Sequence, residues 1–216
     1  MKIVSKEIEC CNEVVTLTNQ RALYWQREQM LVLSDLHIGK TAHFRKAGIA
    51  IPSQILMNDL KRLETLLHNF EVKTVLIVGD LFHAEVNKDI QTFKNWKIQF
   101  ESLEWRLIKG NHDRLKSTVY DDLNVKVDTN YNECLPFRFV HDVNHCEENV
   151  YCISGHTHPG VLIKGRGKQT IKLPCFQVSN KQLILPAFSE FTGLNTSCDD
   201  KDTICYAFTK TNLFEI

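Results

Sequence analysis

Glycine and proline are scarce, at 9 and 5 of 216 residues, and neither clusters into a linker. No internal repeat or low-complexity tract interrupts the chain, so residues 1–216 are expected to form one domain. There is no charge excess either. Lys plus Arg is 26 and Asp plus Glu is 26, which excludes a generally basic nucleic-acid coat while leaving a local basic groove open. No apolar run approaches the roughly 20 residues needed to span a bilayer. The first thirteen residues lack the apolar stretch of a signal peptide, so a soluble, cytoplasmic protein without a membrane partner is expected. The eight cysteines include no Cys-x-x-Cys pair, which argues against a structural zinc site. In a chain without an export signal they are expected to be free and mostly buried thiols.

What is present is a globular composition, 43% hydrophobic and 24% charged. Met30 to Leu33 is a short buried run of strand type. After a polar loop, Leu56, Leu60, Leu63, Leu67 and Phe70 recur at helix spacing, with Pro52-Ser53 as start signals. Val75 to Val78 is a second strand; Phe93, Trp96, Phe100 and Leu103 mark another helix; Trp105 to Ile108 is a third strand. Beyond about residue 120 the chain turns β-rich, with strands predicted at Phe137–Val140, Val150–Ser154, Val161–Ile163, Lys172–Val178 and Cys205–Thr209. Lys164 to Lys168 reads as a turn between two of them. An α/β half followed by a β half suits two packed sheets with helices outside.

The informative pattern stands at the strand ends. The first strand runs into Asp35 and His37, the second into Gly79-Asp80, and the third into Gly110-Asn111-His112-Asp113. Two later strands run into His141 and into Gly155-His156-Thr157-His158. In α/β sheets ligands bind beyond the carboxyl ends of strands, where loops converge. Asp35/His37 and His156/His158 are each two apart, and in extended backbone such a pair points to one side, so each pair is expected to reach one site. Glycines 79, 110 and 155 permit sharp exits and close backbone approach. Taken singly, Asp-x-His or Gly-Asp is more often a turn element than a ligand pair. Jointly, five of the nine histidines fall at strand ends in order, which coincidence does not explain.

Imidazole, carboxylate and amide oxygen without thiolate suit manganese, iron, magnesium or zinc. Six to seven ligands are too many for one tetrahedral centre, whereas two ions about 3.5–4 Å apart clamp an in-line displacement at phosphorus. Two aspartates and a bridging hydroxide against two divalent ions leave about one positive charge, which draws in a phosphate.

These motifs, all in order between residues 35 and 158, resemble the calcineurin-like metallophosphoesterase superfamily. The resemblance implies a four-layer αββα sandwich of two mixed β-sheets flanked by helices. It implies two divalent metal ions, Mn2+ first among them. The first would be held by Asp35, His37, Asp80 and His158; the second by Asp80, Asn111, His141 and His156, with Asp80 bridging. His112 would donate the proton to the leaving group or stabilise charge, Asp113 would orient His112, and a metal-bridging hydroxide would be the nucleophile.

Gly79-Asp80-Leu81-Phe82-His83-Ala84 departs from the Gly-Asp-x-x-Asp-Arg-Gly of phosphoprotein phosphatases and is similar to double-strand-break-repair nucleases. Ser34 to Lys40, with His43 to Gly48 and Pro52, resembles the bacterial DNA-ligase-associated metallophosphoesterases, a family of DNA-damage-response endonucleases. That resemblance implies a nucleic-acid phosphodiester substrate, with DNA as a candidate, and functional association with a DNA ligase and a helicase. Lys40, Arg45 and Lys46 are the one basic cluster near the site along the chain and are candidates for phosphate contact, against an ordinary solvated loop. His83 and His43 either line the site or bond to backbone. Trp96 and Trp105 are expected in the core, His68 and His145 on the surface, and Lys164, Arg166 and Lys168 at a hairpin tip. A phosphoesterase for a small nucleotide or cyclic nucleotide is the alternative, and a non-catalytic binding module on a relic metal site is the third.

Overall fold

The computed structural model describes residues 2–52, 54–83, 85–147, 149–167, 169–198 and 202–216. Ser53 as a helix start signal, Ala84 after the Gly-Asp-Leu-Phe-His stretch and Lys168 at the hairpin tip lie outside the described residues.

Seven strands form the first sheet in chain order: β1 (Ser5–Cys10), β2 (Glu13–Thr18), β3 (Leu23–Trp25), β4 (Met30–Leu33), β5 (Thr74–Val78), β6 (Glu104–Ile108) and β7 (Lys126–Asp128). β1 to β4 pair antiparallel, whereas β4 to β7 pair parallel. The crossovers carry α1 (Lys40–Lys46), α2 (Gln54–Asn69), α3 (Lys88–Lys97) and α4 (Ser117–Asp122). The second sheet holds β8 (Tyr131–Cys134), β9 (Phe137–Val140), β10 (Tyr151–Ser154), β11 (Gly160–Lys164), β12 (Thr170–Val178), β13 (Gln182–Ile184), β14 (Ile204–Phe208) and β15 (Leu213–Glu215). Its central strands β9, β10 and β13 run parallel, and β12 returns antiparallel between β13 and β14. Two mixed β-sheets with flanking helices are therefore the architecture.

The continuous apolar runs of β4 and β5 follow from burial on both faces. Leu31, Leu33, Val75 and Ile77 point outward to the helices, packing with Leu56, Leu60, Leu63 and Leu67 of α2 and Phe93 of α3. Met30, Val32, Leu76 and Val78 point inward, against Phe137, Phe139, Ile153 and Phe176 of the second sheet. Trp105 is buried at 1% exposure and Trp96 packs against it, so both tryptophans are core residues. His68 and His145 are exposed. The outer face of the second sheet carries a smaller cluster of Cys175, Cys205 and Ala207, with Val161 of β11 packed on it. The turn after Lys164 closes the β11–β12 hairpin through the Gly165 amide on the Gln169 carbonyl.

Two expectations are overturned. Lys40 to Lys46 is a helix, not a loop; with only Thr41 buried it has no apolar stripe by which a helix announces itself. Cys146 and Cys152 are not free thiols but form a disulfide across Cα atoms 6.3 Å apart, because the turn before β10 folds the two residues together within bonding reach. Cys10, Cys175 and Cys205 are buried thiols, as expected, while Cys11 is exposed.

Candidate metal centre

All proposed ligands meet at one edge of the sandwich. β4, β5 and β6 end there in the first sheet, and β9 and β10 in the second, so loops from both sheets converge on one spot. The backbone turns sharply: Asp35, His37, Asp80, His156 and His158 all have positive φ, between 49° and 67°. Side chains rarely adopt that region unless surrounding structure enforces it, and such strain concentrates at functional sites. Asp35 and His37 reach one group, but through left-handed backbone. Neither Asp35/His37 nor His156/His158 is extended, and the two histidines separate into different groups.

Those groups are Asp35, His37 and His158 on one side and Asp80, His141 and His156 on the other. In the first, Oδ2 of Asp35 accepts from Ser34 Oγ at 2.7 Å and from the His156 amide at 3.1 Å. Its Oδ1 is buried without a hydrogen-bond donor, 3.3 Å from Nε2 of His158 and 3.9 Å from Nε2 of His37. In the second, Nε2 of His141 lies 3.5 Å from Oδ2 of Asp80, 3.1 Å from Nδ1 of His156 and 3.2 Å from Oδ1 of Asn111. Nδ1 of His141 lies 3.2 Å from the Val78 carbonyl; a proton there fixes the ring and leaves Nε2 for a cation. Ligands at about 2.1 Å from one ion lie roughly 3.0–3.4 Å from each other. The orphaned Asp35 oxygen, the spacings and the hard N/O donors all fit divalent metal.

Electrostatics agree. Burial drives His37 down to about 3, keeping it the neutral imidazole that binds a cation. Burial opposes charge on Asp35, but the His158, His141 and His37 imidazoles hold its carboxyl below the usual range. Burial holds Asp80 above it, against His141 and the His112 amide.

Two glycines are required by close approach. A Cβ on Gly79 would stand 1.8 Å from Nδ1 of His141, and one on Gly110 would stand 2.1 Å from Oδ1 of Asp80. A side chain at either position would occupy the space of a ligand.

His112 lies outside both groups. Its ring stacks on His83 at 4.6 Å between centroids and meets the edge of His37 at 5.4 Å. Both His112 and His83 line a cleft of about 570 Å³, with His43, Lys46 and Arg114 among its other walls. The Asp113 carboxylate bonds to loop amides and not to the His112 ring. It accepts from the amides of Phe82 at 2.9 Å, Gly110 at 3.0 Å and Leu81 at 3.3 Å, clamping the β5 and β6 exit loops together. Burial pushes it up to about 6 despite those bonds. In the basic cluster, Arg45 faces Asp89 at 3.4 Å, Lys46 faces Glu85 at 3.9 Å, and Lys40 sits over the Phe191 ring. Acidic residues remote in sequence thus partly neutralise it. Arg114, Phe44 and Phe191 were not legible as site neighbours; Arg114 alone had a local signal, directly after Asp113.

Residues 29–186 match the family model of calcineurin-like phosphoesterases. The chain belongs to that family and is a metal-binding hydrolase of phosphate esters. Among solved structures it is similar to the nuclease MPE of Pseudomonas putida, at 27% identity over 94% of this chain and 96% of that one, with a TM-score of 0.82. Vps29 of Entamoeba histolytica, complexed with zinc, aligns at 18% identity over 87% of this chain and 96% of that one, with a TM-score of 0.38, too low to carry an argument. No curated protein matches.

Proposed function

We propose that the chain hydrolyses phosphodiester bonds of nucleic acid with two divalent ions, manganese being the best fit. The observation that carries this reading is the pair of carboxylate–imidazole groups beside an open cleft. Of the cleft's walls, His43, Lys46, Ala47, Glu85 and Arg114 are exposed, so a strand can enter from the side. The likeness to a nuclease along nearly the whole chain supports the substrate class.

Asp35, His37 and His158 would hold one ion and His141, His156 and Asn111 the other, with Asp80 shared between them. Divalent ions bound there supply Lewis acidity at the phosphoryl oxygens and water activated at neutral pH. The chain's own residues do the rest. Asp80 is fixed by the His112 amide at 2.9 Å. His112 gives its ring proton to the departing oxygen, and His83 stacks on that ring and holds its plane. Lys40 and Arg45 are placed to receive a flanking phosphate to the extent that Phe191 and Asp89 release them.

An activity panel tests the reading. Bis-p-nitrophenyl phosphate, p-nitrophenyl phosphate, single-stranded DNA and duplex DNA are compared on one preparation with manganese, iron, magnesium or zinc. Diester cleavage above monoester cleavage, with DNA cut internally, is expected. A preference for monoesters, or for nucleotides over any polymer, assigns the site to small substrates instead. On the same grounds we place the protein in the cytoplasm beside a DNA ligase and a helicase, which affinity capture from its own cells checks.

A further inference from the structure

A second cavity has a volume of about 750 Å³. Its walls come from the β2–β3 turn, the middle of α2, the middle of β12 and the β14–β15 turn. β2 runs parallel to β4, and β14 runs parallel to β10, so the cavity lies at the same edge of the sandwich as the metal ligands. Strands lie about 4.8 Å apart, which puts the β2–β3 turn about two strand widths, or about 10 Å, from the gap between β4 and β5.

Five cations line this cavity: Lys2, Arg21, Lys61, Arg62 and Lys210. Among the described residues two carboxylates already pair with Arg62: Glu190 of the cavity wall, 3.1 Å from Nη1, and Asp59, 2.5 Å from Nη2. Cations therefore exceed anions even when both carboxylates are counted. Arg62 is 3% exposed and its Nε is buried with no hydrogen-bond partner. Arg21 is held at φ 65°, where a non-glycine residue needs its surroundings to keep it. Burial, and then the adjacent Arg62 guanidinium, push Arg21 down to about 10. Two guanidiniums that raise the cost of each other's charge are relieved by an anion between them. The walls are preformed: Asn19 donates to the Lys210 carbonyl at 2.9 Å and accepts from the Val4 amide at 2.9 Å, bolting the N-terminal segment to both turns.

The cavity also touches the metal centre through one stretch of chain. Arg21 donates to the Ala187 carbonyl at 2.8 Å, and Arg62 donates to the Phe188 carbonyl. From the same stretch the Phe188 amide donates to the Ser34 carbonyl at 2.8 Å and the Ser189 amide to the Asp35 carbonyl at 3.2 Å.

We propose that this cavity is a second phosphate-binding site, built by Arg21, Arg62, Lys61 and Lys210, that receives a phosphodiester of the substrate strand flanking the one being cut. The assignment of a strand as ligand rests on the nucleic-acid reading above; the phosphate chemistry does not. It also supplies the local cationic surface that a chain with no net charge requires, which α1 with its paired Arg45 and Lys46 does not fully provide.

The test is a methylphosphonate scan of a DNA oligonucleotide, in which one phosphate at a time is made neutral. The manganese-loaded wild type is compared with K61A/K210A, whose changes are at exposed positions, and with R21Q. In the wild type one position away from the scissile bond should raise KM about tenfold, the scale of a charge-assisted contact. In both variants that position should become insensitive. Calorimetric titration with inorganic phosphate runs in parallel and should lose one binding equivalent in the variants. A flat scan with that equivalent still lost keeps the site and makes free phosphate its ligand. A flat scan with no equivalent lost overturns the proposal. If no oligonucleotide is cleaved at all, the nucleic-acid reading fails, and the phosphate titration alone decides the site.

Discussion

The backbone amide of His112 donates to Oδ1 of Asp80 at 2.9 Å, while Oδ2 of the same carboxylate faces Nε2 of His141 at 3.5 Å. One carboxylate thus anchors the loop that carries His112 and turns its other oxygen toward the His141 group, so a shift of Asp80 moves both.

Asp80→Asn should abolish activity and lose both metals, since an amide supplies only one weak oxygen where a shared carboxylate is needed. Metal analysis of the purified variant checks this. Two retained equivalents per chain would show that Asp80 is not shared.

His112→Ala should retain metal and lower turnover by roughly 10²–10⁴-fold. The loss should shrink for p-nitrophenolate, which departs without needing a proton. Equal losses for good and poor leaving groups would make His112 an electrostatic contact and not a proton donor.

Asp113→Ala removes the acceptor of three buried amides and should cost roughly 3 kcal/mol in urea unfolding, with weaker metal retention. If stability is unchanged and only the pH–rate profile moves, Asp113 acts on His112 after all, and the clamp assignment is wrong.

Gly79→Ala places a methyl where the His141 ring stands and should cost one metal equivalent without unfolding the protein. Full occupancy with an unmoved ring resonance of His141 would sink this reading of the glycine.

The metal-free protein should lose stability as pH falls below about 6.5. His37 sits at about 3 in the folded chain, so between the two values the unfolded chain binds the extra proton and folding stability rises with pH. From pH 7.5 to pH 5 the loss from this one group is roughly 2 kcal/mol. Urea midpoints of chelated wild type and His37→Gln measure it; the same pH slope in both assigns the effect elsewhere.

Much of the fold was legible because its central strands are buried on two faces. Met30–Leu33 and Val75–Val78 can be continuous apolar runs only in such a layer, and α2 shows its stripe because one side faces them. β1 was not legible: Lys6, Glu7 and Glu9 leave only Ile8 and Cys10 apolar, with no clean alternation, and its burial at an outer edge is only partial. β3 and β15 span three residues each, too short for a period to show.

Which residues gather into the two candidate metal groups was legible along the chain, since each follows the end of a strand and a strand's end is a local property. Their division into two groups came from the family resemblance and from no strand end. His156 and His158 are two apart and yet go to different groups, because left-handed turns at both positions rotate the second imidazole away from the first. Adjacency points Asp113 at His112, but packing also delivers Leu81 and Phe82, about thirty positions away, onto its oxygens, which no local pattern shows. Arg21 and Arg62 carry no signal in sequence at all. They share a cavity only because the β2–β3 turn packs against the middle of α2, and the free energy of bringing two guanidiniums together is set by the fold around them.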